Sequence, residues 1–296
     1  MNQKIMASES IFSKTDSKQI VHEIAAPIFA KHFETGELHA CGTASIIGRG
    51  YAITAAHVID DYVQKFGISS GISSTSYSNF DLLLYLSLNE GNDLLPLRVL
   101  RLWSSSMTDI AILFLGVPAD FPDSHVWKIP RIQLLPPSIG DDISAFGFSN
   151  PEITYGADNI PTLDVKPYTA TGRVIEVHHR SRDNARLSFP CFRVNARFDG
   201  SMSGGPVFNS SGNLCGIICS SLPADSEDSE HVSYVTTLWP MLGFLIDHEQ
   251  IDNQPLFTHT LSEYFDGGHF FAIDRDEVQV NRLPGQAPTV SIKSHY

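Results

Sequence analysis

The sequence predicts an all-β protein. Short apolar segments rich in β-branched residues and punctuated by Gly, Pro, Asn and Ser dominate the chain, and long helical periodicity is missing, which favours a sandwich or a pair of barrels. A composition of 42% hydrophobic and 18% charged residues suits a packed core and excludes a disordered or coiled-coil chain. At roughly 150 residues per domain, 296 residues correspond to about two packed units.

In chain order, residues 1–20 read as an N-terminal extension. The strand-like segments ACGTASII (40–47), YAITAA (51–56), DLLLYLSL (81–88) and DIAILFL (109–115) fall in a first unit, residues 21–125. Residues 66–79 carry six serines and read as an exposed loop. Prolines 118, 122, 130, 136 and 137 separate two sets of strands and place the domain boundary there. PVFN (206–209), LCGIICS (214–220) and SYVTTLW (233–239) belong to a second unit, residues 126–246, which LWPMLGFLI (238–246) closes as a short helix. Residues 247–296 hold eight acids against three Lys or Arg and form an appended acidic tail. Its aromatic residues are costly to leave in water, so the tail is expected to pack on the second unit or to dock a regulatory protein.

A net charge of 20 − 33 = −13 lacks the basic footprint of a nucleic-acid or anionic-membrane binder, so neither is an expected partner. The apolar runs fall short of the ~18 residues of a membrane helix, no secretory segment is readable in the first twenty residues, and the expected location is cytoplasmic. Cys41, Cys191, Cys215 and Cys219 are accordingly read as reduced thiols. No two of them have C-x-x-C spacing, and the adjacent His178 and His179 should alternate across a strand, so no metal is expected.

Three strings carry chemistry. In Gly200-Ser-Met-Ser-Gly-Gly-Pro-Val207, small residues on both sides of Ser203 allow a sharp turn that brings main-chain N–H groups close to a bound carbonyl. A serine hydroxyl is a weak nucleophile and needs a histidine base with a group to orient it. His57 occurs in GYAITAAHVID, where small neighbours leave room for an exposed imidazole, and Asp109 opens the apolar run TDIAILFL with the one carboxylate at its mouth. Alone, the histidine and aspartate strings are more often structural and the serine string could be an ordinary hairpin turn; the three in the order His, Asp, Ser are far less apt to coincide by chance.

With GTASIIGRGYAITAAHVI, TDIAIL, GSMSGGPVF and the following GNLCGII, the chain resembles the chymotrypsin-like serine proteases, especially the disulfide-free bacterial trypsin-like peptidases, over roughly residues 22–246. The resemblance implies two packed six-stranded antiparallel β-barrels, His57 and Asp109 from the first and Ser203 from the second. His57 would be the base, Asp109 its orienting partner, and the main-chain N–H groups of Ser201 and Ser203 the oxyanion hole. No cofactor is implied.

Three departures from the family pattern stand out. Ser201 occupies a position that is usually a glycine of positive φ, which implies a latent enzyme with low basal turnover. Met202 stands where animal digestive members have aspartate, so activation by a newly cleaved N-terminus is not implied. Val58 follows the histidine where secreted relatives often have cysteine. By the same resemblance the specificity pocket is walled by Ala196 to Gly200, with Arg197 and Phe198 the bulky members, and by Cys219, Ser220 and Ser221. A small or medium apolar side chain is expected there; an arginine at the base would instead select acidic ones. The acidic loop LPADSEDSEH (222–231) reads as solvated, or as a rim that recruits basic peptides.

The sequence thus points to an intracellular serine endopeptidase acting on protein or peptide substrates. The alternative reading is a catalytically silent trypsin-fold binding module. A small-acyl esterase is disfavoured, because the α/β-hydrolase order of triad residues and its GxSxG string do not match.

Overall fold

The computed structural model describes residues 11–15, 20–65, 80–88, 93–119, 121–122, 125–156, 161–222, 232–247, 258–283 and 285–293. The serine-rich loop 66–79 and the acids of the loop 223–231 lie outside the described residues.

Six antiparallel strands close a first barrel. They are β2 (Ala25–His32), β3 (Leu38–Gly48), β4 (Tyr51–Thr54), β5 (Phe80–Leu88), β6 (Asp93–Ser105) and β7 (Ile110–Gly116), ordered β2-β3-β4-β7-β6-β5. In β5 the burial alternates along FDLLLYL, as the two-residue period of a strand requires, and Leu82, Leu84 and Leu86 meet Ile28, Ile46, Ile53 and Ile112 in the core. A helix, α1 (Ala56–Lys65), follows β4 directly.

The second unit is a seven-stranded sheet built from β1 (Ile11–Lys14), β8 (Asp142–Tyr155), β9 (Pro161–His178), β10 (Cys191–Val194), β11 (Pro206–Asn209), β12 (Leu214–Leu222) and β13 (Val232–Thr236). Its order is β1-β9-β10-β13-β12-β11-β8, and β8 also pairs with β9, so the sheet returns on itself. The seventh strand comes from the segment read as an extension: Ile11 to Lys14 pair with Thr171 to Tyr168, and Phe12 stacks on Tyr168 at 4.9 Å. A four-residue strand has too little periodicity to be legible, and its pairing partner lies more than 150 residues away.

The closing helix is corrected to a 3₁₀ turn, Trp239–Gly243, followed by a strand, β14 (Leu245–Asp247). Pro240 in the first turn and Gly243 at its end shorten the helix. Beyond it, β15 (Thr258–Thr260), α2 (Leu261–Asp266), β16 (Val278–Asn281) and β17 (Thr289–Ile292) give the tail a fold of its own. Thr260 and Glu263 form a reciprocal capping box on α2.

The tail packs on the first barrel as well as on the second unit expected, which it meets at Ile132–Leu135, at the 3₁₀ turn and through the pairing of β15 with β14. Phe270 lies edge-on to Tyr51 at 5.4 Å and over Gly48, where a Cβ would come within 2.5 Å of its ring. The Asp274 carboxylate accepts the N–H groups of Leu134 and Leu135, and the Trp103 indole donates to Asp247 at 2.6 Å. The missing side chain at Gly48 makes the aromatic berth on the first barrel. None of the four cysteines forms a disulfide. Among the described residues, no helix is long and apolar enough to cross a membrane.

Candidate active site

His57 sits in the first turn of α1, after Ala56 at the helix start and Ala55, which joins it to the end of β4. The turn points the imidazole outward, and its side chain keeps 35% exposure while that of Asp109 keeps 6%. A carboxylate can only accept, so the His57 Nδ1–H donates to Asp109, at 2.8 Å to Oδ1 and 3.1 Å to Oδ2. Oδ1 also accepts the main-chain N–H of His57 at 3.1 Å. Asp109 thereby fixes the imidazole, leaves Nε2 as the basic nitrogen, and sits at the favourable positive end of α1. Thr236, from the second sheet, donates to Oδ2 at 3.5 Å.

Asp109 itself has φ +50°, in the left-handed region. The turn Ser105–Thr108 holds it there, with the Thr108 N–H and hydroxyl both on the Ser105 carbonyl. An aspartate in this conformation costs on the order of 1 kcal/mol, and the strain aims its carboxylate back at α1.

Burial is the largest influence on His57 and pulls its pKa down. The hydrogen bond and charge of Asp109, helped by Asp61 and Asp60, outweigh it and leave the pKa above the ordinary 6.5.

Ser203 lies in the loop between β10 and β11, and both glycines after it are required. A Cβ on Gly204, whose φ is +80°, would fall 2.0 Å from Thr54 Oγ1, and one on Gly205 would fall 2.1 Å from the Phe146 carbonyl. The loop is tied to both units. The N–H groups of Met202, Gly204 and Gly205 are hydrogen-bonded within the second unit, to Asp199, Ile218 and Met202. Those of Ser201 and Ser203 donate to no acceptor among the described residues. Two unengaged donors two residues apart in one loop are what a developing oxyanion needs. Ser201 has φ +68°, so a serine holds the conformation for which glycine is usual.

Thr43 of β3 is a positioning residue that sequence reading missed. Its N–H donates to the Ser203 carbonyl at 2.9 Å, its hydroxyl donates to the Ser201 carbonyl at 3.0 Å, and that hydroxyl accepts the Phe148 N–H at 3.1 Å. A threonine in a strand is ordinary, so only its place between the two units reveals the role.

The Ser203 hydroxyl donates to the Cys219 carbonyl at 3.3 Å. Among the described residues it forms no hydrogen bond to His57. Such bonds often tighten only when substrate arrives. The Cys219 thiol, His57 and Asp109 bring donor atoms within 4.8 Å of one another. Burial, with the nearby Asp109 carboxylate, raises the Cys219 thiol well above its ordinary range, so it is a neutral thiol, and His57 Nδ1 is already committed to Asp109. As arranged, the set favours proton transfer over metal ligation.

Of the remaining expected site residues, Gly200 flanks the loop with open space over its Cα. Phe198 is buried in the core of the second sheet. Arg197 is turned away, paired with Asp199 at 2.8 Å and lying over the Phe12 ring at 4.8 Å. Ser220 and Ser221 pair with Tyr234 and Ser233 in the β12–β13 ladder. The cleft beside the triad, about 400 Å³, is lined by His57, Asp109, Cys219, Ser220 and Tyr234 together with Arg182 and Arg186. A larger cavity of about 730 Å³, between residues 128–131 and 208–213, holds none of the triad.

Comparison with known proteins gives one family. Residues 42–217, more than half of the chain, match the family described as trypsin-like peptidase domain. The chain is similar in structure to the active form of the Rv3671c protease from M. tuberculosis, at 15% sequence identity and a TM-score of 0.42, over 73% of this chain and 77% of that one. No curated protein matches the sequence.

Proposed function

The chain belongs to the trypsin-like peptidase domain family, and on that premise we propose that it is a serine endopeptidase with Ser203 as nucleophile, His57 as general base and Asp109 as orienting carboxylate. The observation that carries the reading is the bidentate approach of Asp109 to His57 Nδ1, at 2.8 and 3.1 Å, beside a serine loop with two unengaged N–H groups.

In this mechanism Ser203 Oγ leaves the Cys219 carbonyl, gives its proton to His57 Nε2 and bonds to the scissile carbonyl carbon. The N–H groups of Ser201 and Ser203 hold the oxyanion. Collapse breaks the C–N bond as His57 returns the proton to the amine, and a water deprotonated by His57 then releases the acid from Ser203. Ser201 is strained at the positive φ that the oxyanion hole uses, which supports a competing, latent loop state at rest that substrate or a partner would displace. The intracellular setting we assign rests on the reduced cysteines.

The test is labelling with a fluorophosphonate probe. Wild type should label, and Ser203→Ala and His57→Ala should not. In peptide hydrolysis each variant should lose on the order of 10⁴-fold or more, and the double variant should be hardly worse, because the triad acts as a unit. Absence of labelling in folded wild type, even with peptide present, would favour the silent binding module instead.

A further inference from the structure

Beside His57 the cleft has a basic wall. We propose that Arg182 and Arg186 form a subsite for a carboxylate side chain of the substrate, close to the scissile bond, so that the enzyme selects acidic peptide segments; the proposal rests on the Ser203 protease reading above.

Both arginines line the cleft that contains His57 and Ser220, and both are exposed. The Arg182 guanidinium is partly occupied, at 3.2 Å from Asp183 and 5.0 Å over the Tyr234 ring. Among the described residues, that of Arg186 has no ion pair. In a chain of net charge −13, a guanidinium at the mouth of the cleft with no ion pair among the described residues is conspicuous.

The loop that presents Arg186 is fixed rather than loose. Asp183 Oδ1 accepts the N–H groups of Ala185, Arg186 and Leu187 at 2.8, 2.7 and 3.1 Å. The N–H groups of Arg182 and Asp183 both return to the Leu187 carbonyl. Leu187 and Phe189 are buried against Cys191, Cys219 and Tyr234, which ties the loop to the floor of the cleft. A guanidinium held in place by its backbone loses less freedom on binding than one on a floppy loop.

The chemistry of the walls selects the ligand. Leu187, Phe189 and Tyr234 offer apolar contact and the two guanidiniums a charged end, which suits a short aliphatic stem bearing a carboxylate: glutamate, then aspartate. Asp60, on the same cleft, would repel such a group from the His57 end and leave the arginine end as its berth. Both guanidiniums share the cleft with His57, so the acidic residue would lie within a few positions of the cut.

The experiment is cleavage of a positional library of fluorogenic peptides by the full chain, alongside Arg186→Gln and Arg186→Glu. Glu at one position near the cut should exceed Ala by about tenfold and Lys by more. That ratio should fall toward one in Arg186→Gln and invert toward Lys in Arg186→Glu, with unchanged melting temperatures. Cleavage without acidic preference, or a preference unmoved by the Arg186 variants, overturns the subsite. If nothing is cleaved, the same labelled peptides are titrated by fluorescence anisotropy against Ser203→Ala and Ser203→Ala/Arg186→Glu. Glu-dependent binding lost in the double variant would keep the subsite and sink the protease reading; no Glu-dependent binding would sink the subsite.

Discussion

A single carboxylate oxygen, Oδ1 of Asp109, receives two donors from one residue, the main-chain N–H and the Nδ1–H of His57. It thus ties the start of α1 and the imidazole to the same point. Asp109→Asn can still accept from the main chain and tolerates positive φ as aspartate does. Its amide cannot also hold the imidazole in the tautomer that exposes a basic Nε2. We expect a folded protein whose kcat falls by roughly 10⁴-fold, checked by circular dichroism and peptide hydrolysis; a loss under tenfold would remove Asp109 from the mechanism.

The pH dependence follows from the raised pKa of His57. The base must be neutral, so activity should fall as pH drops through a value above the ordinary 6.5 of histidine. For stability the sign is opposite: a raised folded pKa contributes stability that is present below the unfolded pKa and is lost as pH rises through the folded one. Asp109→Asn should move the acid limb downward. A limb that stays in place in the variant would show that another group titrates.

Ser201 keeps φ +68°, a conformation that a β-carbon makes unfavourable. Ser201→Gly should raise stability by about 1 kcal/mol, or about 2 °C in Tm, partly offset by the freer unfolded chain. It should also raise basal turnover of a short peptide severalfold, in line with the proposed latency. A hundredfold loss with the fold intact would mean that the serine hydroxyl itself assists the substrate.

Thr43→Val removes one hydroxyl without changing shape. The Ser201 carbonyl loses its donor and the buried Phe148 N–H its acceptor, a cost of about 1–3 kcal/mol. A loosened nucleophile loop should lower kcat more than it alters KM, and Thr43→Ser should restore both. A tolerated Val with a damaging Ser would identify methyl packing, not the hydrogen bonds, as the role of Thr43.

Phe270 anchors the tail on the first barrel. Phe270→Ala should cost about 3 kcal/mol in denaturant unfolding, and deletion of residues 251–296 should cost at least as much. Neither change should prevent labelling of Ser203. An unchanged unfolding midpoint in both would show that the tail adds nothing to the core.

The sequence by itself carries the local steric requirements. Gly204 takes φ +80°, which a sharp turn asks of glycine, and the pattern of small residues around Ser203 records that demand in the primary structure. The same holds for the alanines before His57 and for the alternation in Leu82–Leu86, because a turn or a pleat is specified within a few residues. Tertiary structure alone decides what depends on partners distant in the chain. Examples are Thr43 bridging Ser201 and Phe148, Ile11–Lys14 adding a strand to the second sheet, Phe270 finding the gap at Gly48, and Arg197 turning to Phe12 while Arg186 faces the cleft. A polar or aromatic side chain has the same local propensity whichever partner it meets. Only closure of the chain selects that partner, through burial and hydrogen-bond satisfaction.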